Sequence, residues 1–356
     1  MKIPVSVKAP IIFIGLFAFF AVMYIGKGII IPIIFATIIA IVLHPVVKLF
    51  IRLRINRVLS IIIALFLAFL TVAALGTFLF SQASRFSESL PELADKFTEI
   101  LNQTIIYISE HFNLSHREIT AWITKTKNEL SGSLKIGQTI FNVGSELALL
   151  FLIPVYVFMI LFYKPILIEF LRRLFGKSNR NKVNKIINQI KTLIQRYLIG
   201  LLLQVAIISA IYSIGLLILG IEYAIILGII GAFLNLIPYL GSIIAASLPM
   251  IIAIVTKSSP WFSLLVLALY IVTQFIDNNF ITPRIVGSKV KLNALASIVA
   301  VIVFAALWGI QGMLIAIPLT AIAKLIFDNI KPLKPWGLLL GDTMPEPPET
   351  KPALKE

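Results

Sequence analysis

The chain has 356 residues, of which 59% are hydrophobic and 13% charged, with 31 basic and 16 acidic side chains and a formal net charge of +15. Water-soluble domains carry about a quarter charged residues, so this composition excludes a set of soluble domains and indicates an all-α polytopic membrane protein. The basic residues lie mostly between apolar runs, a pattern that orients a membrane protein and does not build the basic face needed for nucleic acid.

Reading from charge to charge gives uncharged runs at 9–26, 28–47, 58–84, 147–163, 197–221, 223–256, 258–276 and 292–323. About 20 apolar residues cross a bilayer, so these are eight hydrophobic segments. Lys2 and Lys8 precede the first run, no small-residue cleavage pattern follows, and the run reads as an uncleaved span. The organisation predicted is spans 1–3 over 1–81, an extracytoplasmic helical segment over 82–145 and span 4 at 146–163. A basic cytoplasmic amphipathic linker over 164–197 follows, then a C-terminal membrane half with broken helices over 198–330 and a disordered tail over 331–356.

Within 82–142, Phe86, Leu90, Leu93, Phe97, Ile100 and Leu101 recur at steps of three and four, the period of an amphipathic helix, and short helices are expected to form a small cap. The linker carries a second apolar stripe, including Val183, Ile187, Ile190, Ile194 and Tyr197. Lys182, Lys185 and Lys191 lie away from it. Such a helix can lie on anionic lipid or pack beneath the bundle.

Basic residues set the orientation. Lys48, Arg52, Arg54 and Arg57 fall in one loop without an acid, and 164–197 holds nine basic residues against Glu169. Segment 82–142 has six basic and seven acidic residues. The positive-inside rule therefore predicts a cytoplasmic N-terminus and places 82–142 outside.

Two runs are too long for simple spans. Run 223–256 has 34 residues and is broken by Gly231, Asn235, Pro238 and Gly241; run 292–323 has 32 and is broken by Gly309, Gly312 and Pro318. Each reads either as a re-entrant helical hairpin or as one long kinked span. The first favours the hairpin, because broken backbone at membrane depth survives only where protein or a cavity satisfies it. The second leaves both open.

Polar side chains at membrane depth are costly and mark paths or partners. They are Gln204, Asn235, Tyr239, Gln311 and those of the stretch Gln274-Phe275-Ile276-Asp277-Asn278-Asn279-Phe280-Ile281-Thr282-Pro283-Arg284. Pro283 argues against an unbroken helix carrying Asp277 and Arg284 on one face. For enzymatic chemistry there is little. No Gly-x-Ser-x-Gly elbow and no phosphate-binding Gly-rich loop occurs, and His111 and His116 with Glu110 and Glu118 match no strong metal template. The chain is read as a non-enzyme with no cofactor or metal, apart from a coupling ion, proton or sodium.

Three ordered motifs carry a family resemblance. They are Ile237-Pro238-Tyr239-Leu240-Gly241 with Ala245-Ala246-Ser247-Leu248-Pro249; Gln274-x-x-Asp277-Asn278-x-x-x-x-Pro283-x-x-Val286-Gly287; and Trp308-Gly309-x-x-Gly312-x-x-x-Ala316-Ile317-Pro318. Over nearly its whole length the chain resembles the autoinducer-2 exporter (PerM-like permease) family. It departs where the family often has His-Pro, and reads Leu292-Asn293-Ala294 instead. The resemblance implies a transporter of the bacterial inner membrane that exports small molecules, autoinducer-2 among them, or exchanges sodium for protons in some members. It also implies a pentameric homo-oligomer with an elevator-like cycle. The expected substrate-binding residues are Asn235, Pro238, Tyr239, Gly241, Gln274, Asp277, Asn278, Pro283 and Gln311. Export of a small polar organic solute is the leading expectation. Cation–proton antiport and a non-transporting membrane scaffold are the alternatives. The expected partners are membrane lipid, the solute or ion, and further copies of the chain.

Overall fold

A computed structural model describes residues 5–112, 143–176, 179–236, 241–257, 259–287 and 291–343. Among these residues all regular structure is helical. The order is α1 Val5–Ile25, α2 Lys27–Arg52, α3 Arg57–Phe112, α4 Val143–Leu174, α5 Arg180–Ile218, α6 Ala224–Leu234, α7 Gly241–Thr256, α8 Trp261–Ile276, α9 Ala294–Asn329 and α10 Lys334–Leu340. Among the described residues six stretches are long and apolar enough to cross a membrane: Lys27–Arg52, Arg57–Gln82, Leu152–Leu174, Arg180–Ile218, Trp261–Ile285 and Ala294–Asn329. Phe13, Phe17, Phe69, Val72, Leu202 and Ile218 are among many large apolar side chains exposed on these helices. Exposure on that scale marks surfaces that meet lipid or another protein surface. The all-α polytopic membrane architecture expected from composition is the one found.

The chain divides into two compact units. The first contains Gly26–Glu169 and Leu198–Ile285. In it, α2, α3 and α4 pack through Ala36, Ala40 and Val47 against Ile61, Ala64, Val157 and Leu161. Small side chains let membrane helices approach closely where lipid offers no competing hydrophobic force. Arg57 Nη2 donates to the Leu161 carbonyl at 2.7 Å, which ties the start of α3 to α4. His44 Nε2 meets Lys164 Nζ, so this histidine is held by a side chain of α4.

The second core of this unit joins α5, α6, α7 and α8 through Ile208, Tyr212, Leu216, Leu227, Ala245, Ala253, Val266 and Tyr270. Here run 223–256 is two short helices, 11 and 16 residues long. Neither arm spans about 30 Å of hydrocarbon at 1.5 Å per residue. Both arms join one core, and a Cβ built on Gly220, just before the run, would lie 3.1 Å from Lys257 Nζ, just after it. The run therefore begins and ends at the same place, as a hairpin.

Helix α3 does not stop where the apolar run ends. It continues without interruption to Phe112, about 84 Å in all, so the first part of 82–142 extends a span instead of starting new short helices. Leu79 and Phe86 pack on the hairpin core, and the Phe86 ring meets Tyr223 edge-on at 5.3 Å. Residues 113–142, including His116 and Glu118, lie outside the described residues.

The other unit contains α1, Phe170–Tyr197 and the chain from Val286 onward. Arg172 Nε donates to Asn184 Oδ1 at 2.8 Å, and Val183, Ile194 and Tyr197 of the predicted apolar stripe are buried. The 36 residues of α9 are not one rod. Gly309 has φ 63° and ψ −144°, a conformation outside any helix. Beyond it the chain folds back, so that Ala300, Val301 and Phe304 of the first arm pack on Met313, Ala316 and Ile317 of the second. Run 292–323 is thus a hairpin too, and α9 is not a single crossing despite its length. Trp308 Nε1 donates to the Met23 carbonyl at 2.9 Å and anchors α1 to the bend.

Residues 331–343, expected to open a disordered tail, instead form a 3-10 turn at Lys331–Leu333 and helix α10. The correction has a local cause: α10 packs on the last turns of α9, where Gly337 sits against the Asp328 carboxylate with no room for a Cβ. Asn293 caps α9 through Oδ1 to the Ala296 N–H, and its Nδ2 donates to the carbonyls of Leu339 (2.7 Å) and Gly341 (2.8 Å). Asn293 therefore fastens the base of the second hairpin. Residues 344–356 lie outside the described residues.

Candidate functional site

The Asp277 carboxylate is 2% exposed, at the C-terminal end of α8. Three side chains converge on it. Gln204 Nε2, from α5, lies 3.0 Å from Oδ1 and 2.9 Å from Oδ2. Asn235 Nδ2, at the end of the first hairpin arm, donates to Oδ2 at 2.8 Å. Thr282 Oγ1 donates to Oδ1 at 2.8 Å and lies 2.9 Å from Gln204 Nε2. Every one of these donors is neutral. Among the described residues no lysine, arginine or histidine approaches the carboxylate within ion-pair distance. A buried carboxylate held only by neutral donors keeps much of its desolvation penalty.

Local backbone explains how these groups meet. Pro283 was expected to end the helix, because proline lacks an N–H and clashes with the carbonyl four residues back. The helix instead widens into two π-helical turns, Asp277–Ile281 and Pro283–Gly287, and runs on. The Thr282 N–H bonds the Asp277 carbonyl, an i to i+5 bond, and this wider turn stacks the two side chains on one face. Asn279 Nδ2 satisfies the Phe275 carbonyl at 2.8 Å. Arg284 does not share the Asp277 face. It is exposed, with its guanidinium 5.9 Å from the centre of the Phe280 ring.

The packing is tight around the cluster. A Cβ on Gly200 would lie 2.7 Å from the Ile285 carbonyl oxygen, and one on Gly231 would lie 3.0 Å from the Tyr270 hydroxyl. Tyr212 and Tyr270 stack at 4.0 Å, two turns from Gln204 and Asp277 on their respective helices, and both hydroxyls are buried without a partner. Antiparallel α5 and α8 therefore present two polar levels: Gln204 with Asp277, and the tyrosine pair.

The sequence-selected residues divide as follows. Asn235 and Asp277 bond directly. Gly241 is buried at the first turn of α7, with the Leu234 carbonyl where a Cβ would stand, so it permits the hairpin closure. Gln274 Nε2 donates to Asn278 Oδ1 at 3.1 Å; its Oε1 is buried without a partner, while Asn278 is exposed. Pro283 is exposed and opens the second π turn. Pro238 and Tyr239 lie outside the described residues. Gln311 is exposed on the second arm of α9, in the other unit. Gln204 and Thr282, polar residues at membrane depth that the expected binding set does not include, both bond the carboxylate directly. The signal for Thr282 was a hydroxyl five residues after a buried acid in a helix that a proline must widen.

A family model described as AI-2E family transporter matches residues 13–331. YueF of Bacillus subtilis is 26% identical over 317 residues, covering 84% of this chain and 83% of its own length. YrrI of the same organism is 27% identical over 311 residues, with coverage of 84% and 86%. The AI-2 transport protein TqsA of Escherichia coli is 25% identical over 324 residues, with coverage of 88% and 90%.

Proposed function

Because the chain belongs to the AI-2E transporter family, we propose that it is a secondary permease exporting a small polar organic solute across the bacterial inner membrane, with the Asp277 cluster at its site. The observation that carries this reading is the buried carboxylate whose partners are all neutral donors, placed where a hairpin arm ends and a helix widens. Hydroxyl groups of a solute can replace Gln204, Asn235 or Thr282 as donors without moving a counter-ion. A pair of interrupted segments in the second half is the arrangement in which carriers build such sites. The name of the relative TqsA supports autoinducer-2 as the first solute to test.

An elevator-like cycle is the one that the resemblance implies. We also propose the pentameric homo-oligomer that the resemblance implies; the mass of the detergent-solubilised protein tests it.

A second reading is cation–proton antiport on the same carboxylate. Turning the Gln204 and Asn235 amides over would present their oxygens, with Thr282 Oγ1 and Asp277, as hard ligands for a sodium ion. Purified protein in liposomes, tested with a solute panel and with sodium and pH gradients, separates the readings. Asp277→Asn abolishes sodium-driven proton movement in an antiporter. Solute flux that persists in this variant favours uncoupled export. No saturable flux of either kind defeats both and leaves a scaffold.

A further inference from the structure

In the unit formed by α1, residues 170–197 and the chain from 286, a cleft of about 580 Å³ opens between the first turns of α5 and the base of α9. One wall is a single helical face carrying Lys185, Gln189, Thr192 and Arg196. Lys291 and Leu325 form the other wall. A cavity of about 260 Å³ adjoins it and reaches Lys324 and Asp328, which pair with each other at 2.6 Å. Lys185, Arg196 and Lys291 have no carboxylate partner among the described residues. The cleft therefore holds three uncompensated positive charges with amide and hydroxyl groups between them.

Its depth follows from the chain. Arg196 is the last charge before run 197–221, Lys291 the last before run 292–323, and Lys324 the first after it. Charges in those positions sit where hydrocarbon gives way to headgroups. On α10, packed against Asp328, Trp336, Leu338 and Leu339 are exposed. An exposed indole with neighbouring lysines is typical of the same level. Lys291 itself has φ 51°, a left-handed conformation that costs a non-glycine residue energy. The bridge from Leu292 to Gly341 and the Asn293 bonds hold it there. Backbone strain held in this way is a feature found at ligand clamps, and here it falls on a cationic residue that lines the cleft.

We propose that this cleft binds the phosphate headgroup of an anionic phospholipid from the leaflet that faces the basic loops. The test uses the full-length protein in neutral detergent, titrated with short-chain phosphatidylglycerol and read by native mass spectrometry. Phosphatidylcholine serves as the zwitterionic control, and inorganic phosphate and glycerol phosphate compete as soluble sources of the same chemistry. Saturable phosphatidylglycerol binding is expected, with phosphatidylcholine at least about tenfold weaker and the soluble phosphates unable to displace the lipid at equal concentration. Lys185→Gln, Arg196→Gln and Lys291→Gln should each weaken binding about fivefold. Lys182→Gln and Lys191→Gln remove the same charge from the same helix outside the cleft and should leave binding unchanged. Equal binding of phosphatidylcholine, displacement by glycerol phosphate, or equal loss in the Lys182 and Lys191 variants overturns the proposal. If Lys291→Gln fails to fold, the Lys185 and Arg196 variants decide.

Discussion

Thr282 reaches Asp277 across five residues of one helix, with Oγ1 2.8 Å from Oδ1. In an α-helix, side chains three and four apart are neighbours and those five apart are not. The contact exists because the π-helical turn brings residue i+5 round onto the face of residue i. Pro283 thus has a role that its chemistry alone does not suggest. It prevents a regular α-helix at this point, and the wider turn that replaces it supplies a donor to the buried carboxylate.

Thr282→Val keeps the shape and β-branching of the side chain and removes only the hydroxyl. The Asp277 carboxylate then loses one of its neutral donors, at a cost of about 1–3 kcal/mol because it stays buried. Solute flux in proteoliposomes is expected to fall about tenfold or more. Thr282→Ser, which restores the donor, should recover most of it. Equal flux in the Val and Ser variants would show that the hydroxyl takes no part.

Most of the scaffold was legible from charge alone, because each crossing had to be uncharged and each loop was not. The two overlong runs were legible as problems, and Gly309 and the Asn235–Gly241 stretch marked where each would be solved. The partner of Asp277 was less so. Gln204 lies 73 residues away on α5, and nothing local to either residue announces that α5 and α8 run antiparallel in contact. The length of α3 was hidden for another reason. Charged residues appear at its exit from the membrane, and composition changes there while helical periodicity does not. Apolar Trp336, Leu338, Leu339 and Leu340 are the signal for α10, but the run is short and polar, proline-containing sequence follows it.

The hairpins can be measured as distances. The chain has no cysteine, so introduced pairs carry labels uniquely. Lys291 and Lys324 border one cavity at the base of α9. A straight helix between them would separate the positions by about 50 Å. Spin labels on Lys291→Cys and Lys324→Cys should report well under half of that separation. A distance near that of the straight helix would return run 292–323 to a kinked span.

Gly309 isolates the backbone requirement of that bend. No atom lies within 4 Å of a Cβ built on it, so a substitution meets no steric neighbour. Its φ of 63° with ψ of −144° is nonetheless a glycine conformation. Gly309→Ala should destabilise the protein by about 1–3 kcal/mol. Gly309→Asn should do no better, since asparagine tolerates left-handed helical backbone and this ψ is far from it. Thermal unfolding of both variants in detergent checks the expectation, and an unchanged melting temperature for either would mean the bend forms without this conformation.

Gly228 isolates packing instead. A Cβ there would come within 2.6 Å of the Ser213 backbone nitrogen, where the first hairpin arm crosses α5. Backbone cannot yield as a flexible side chain can, so Gly228→Ala must push α6 away from α5, at an overpacking cost of about 1–3 kcal/mol. Asn235 ends the same arm, so the shift also draws its amide from Asp277 and lowers flux. Gly76→Ala is the contrasting case, a helical position with nothing within 4 Å. There the methyl only restricts the unfolded chain and should raise stability by about 0.5–1 kcal/mol. Measured together, the two alanines should shift the melting temperature in opposite directions, and only Gly228→Ala should impair transport. If both behaved alike, the close approach of α6 to α5 would not be what positions Asn235.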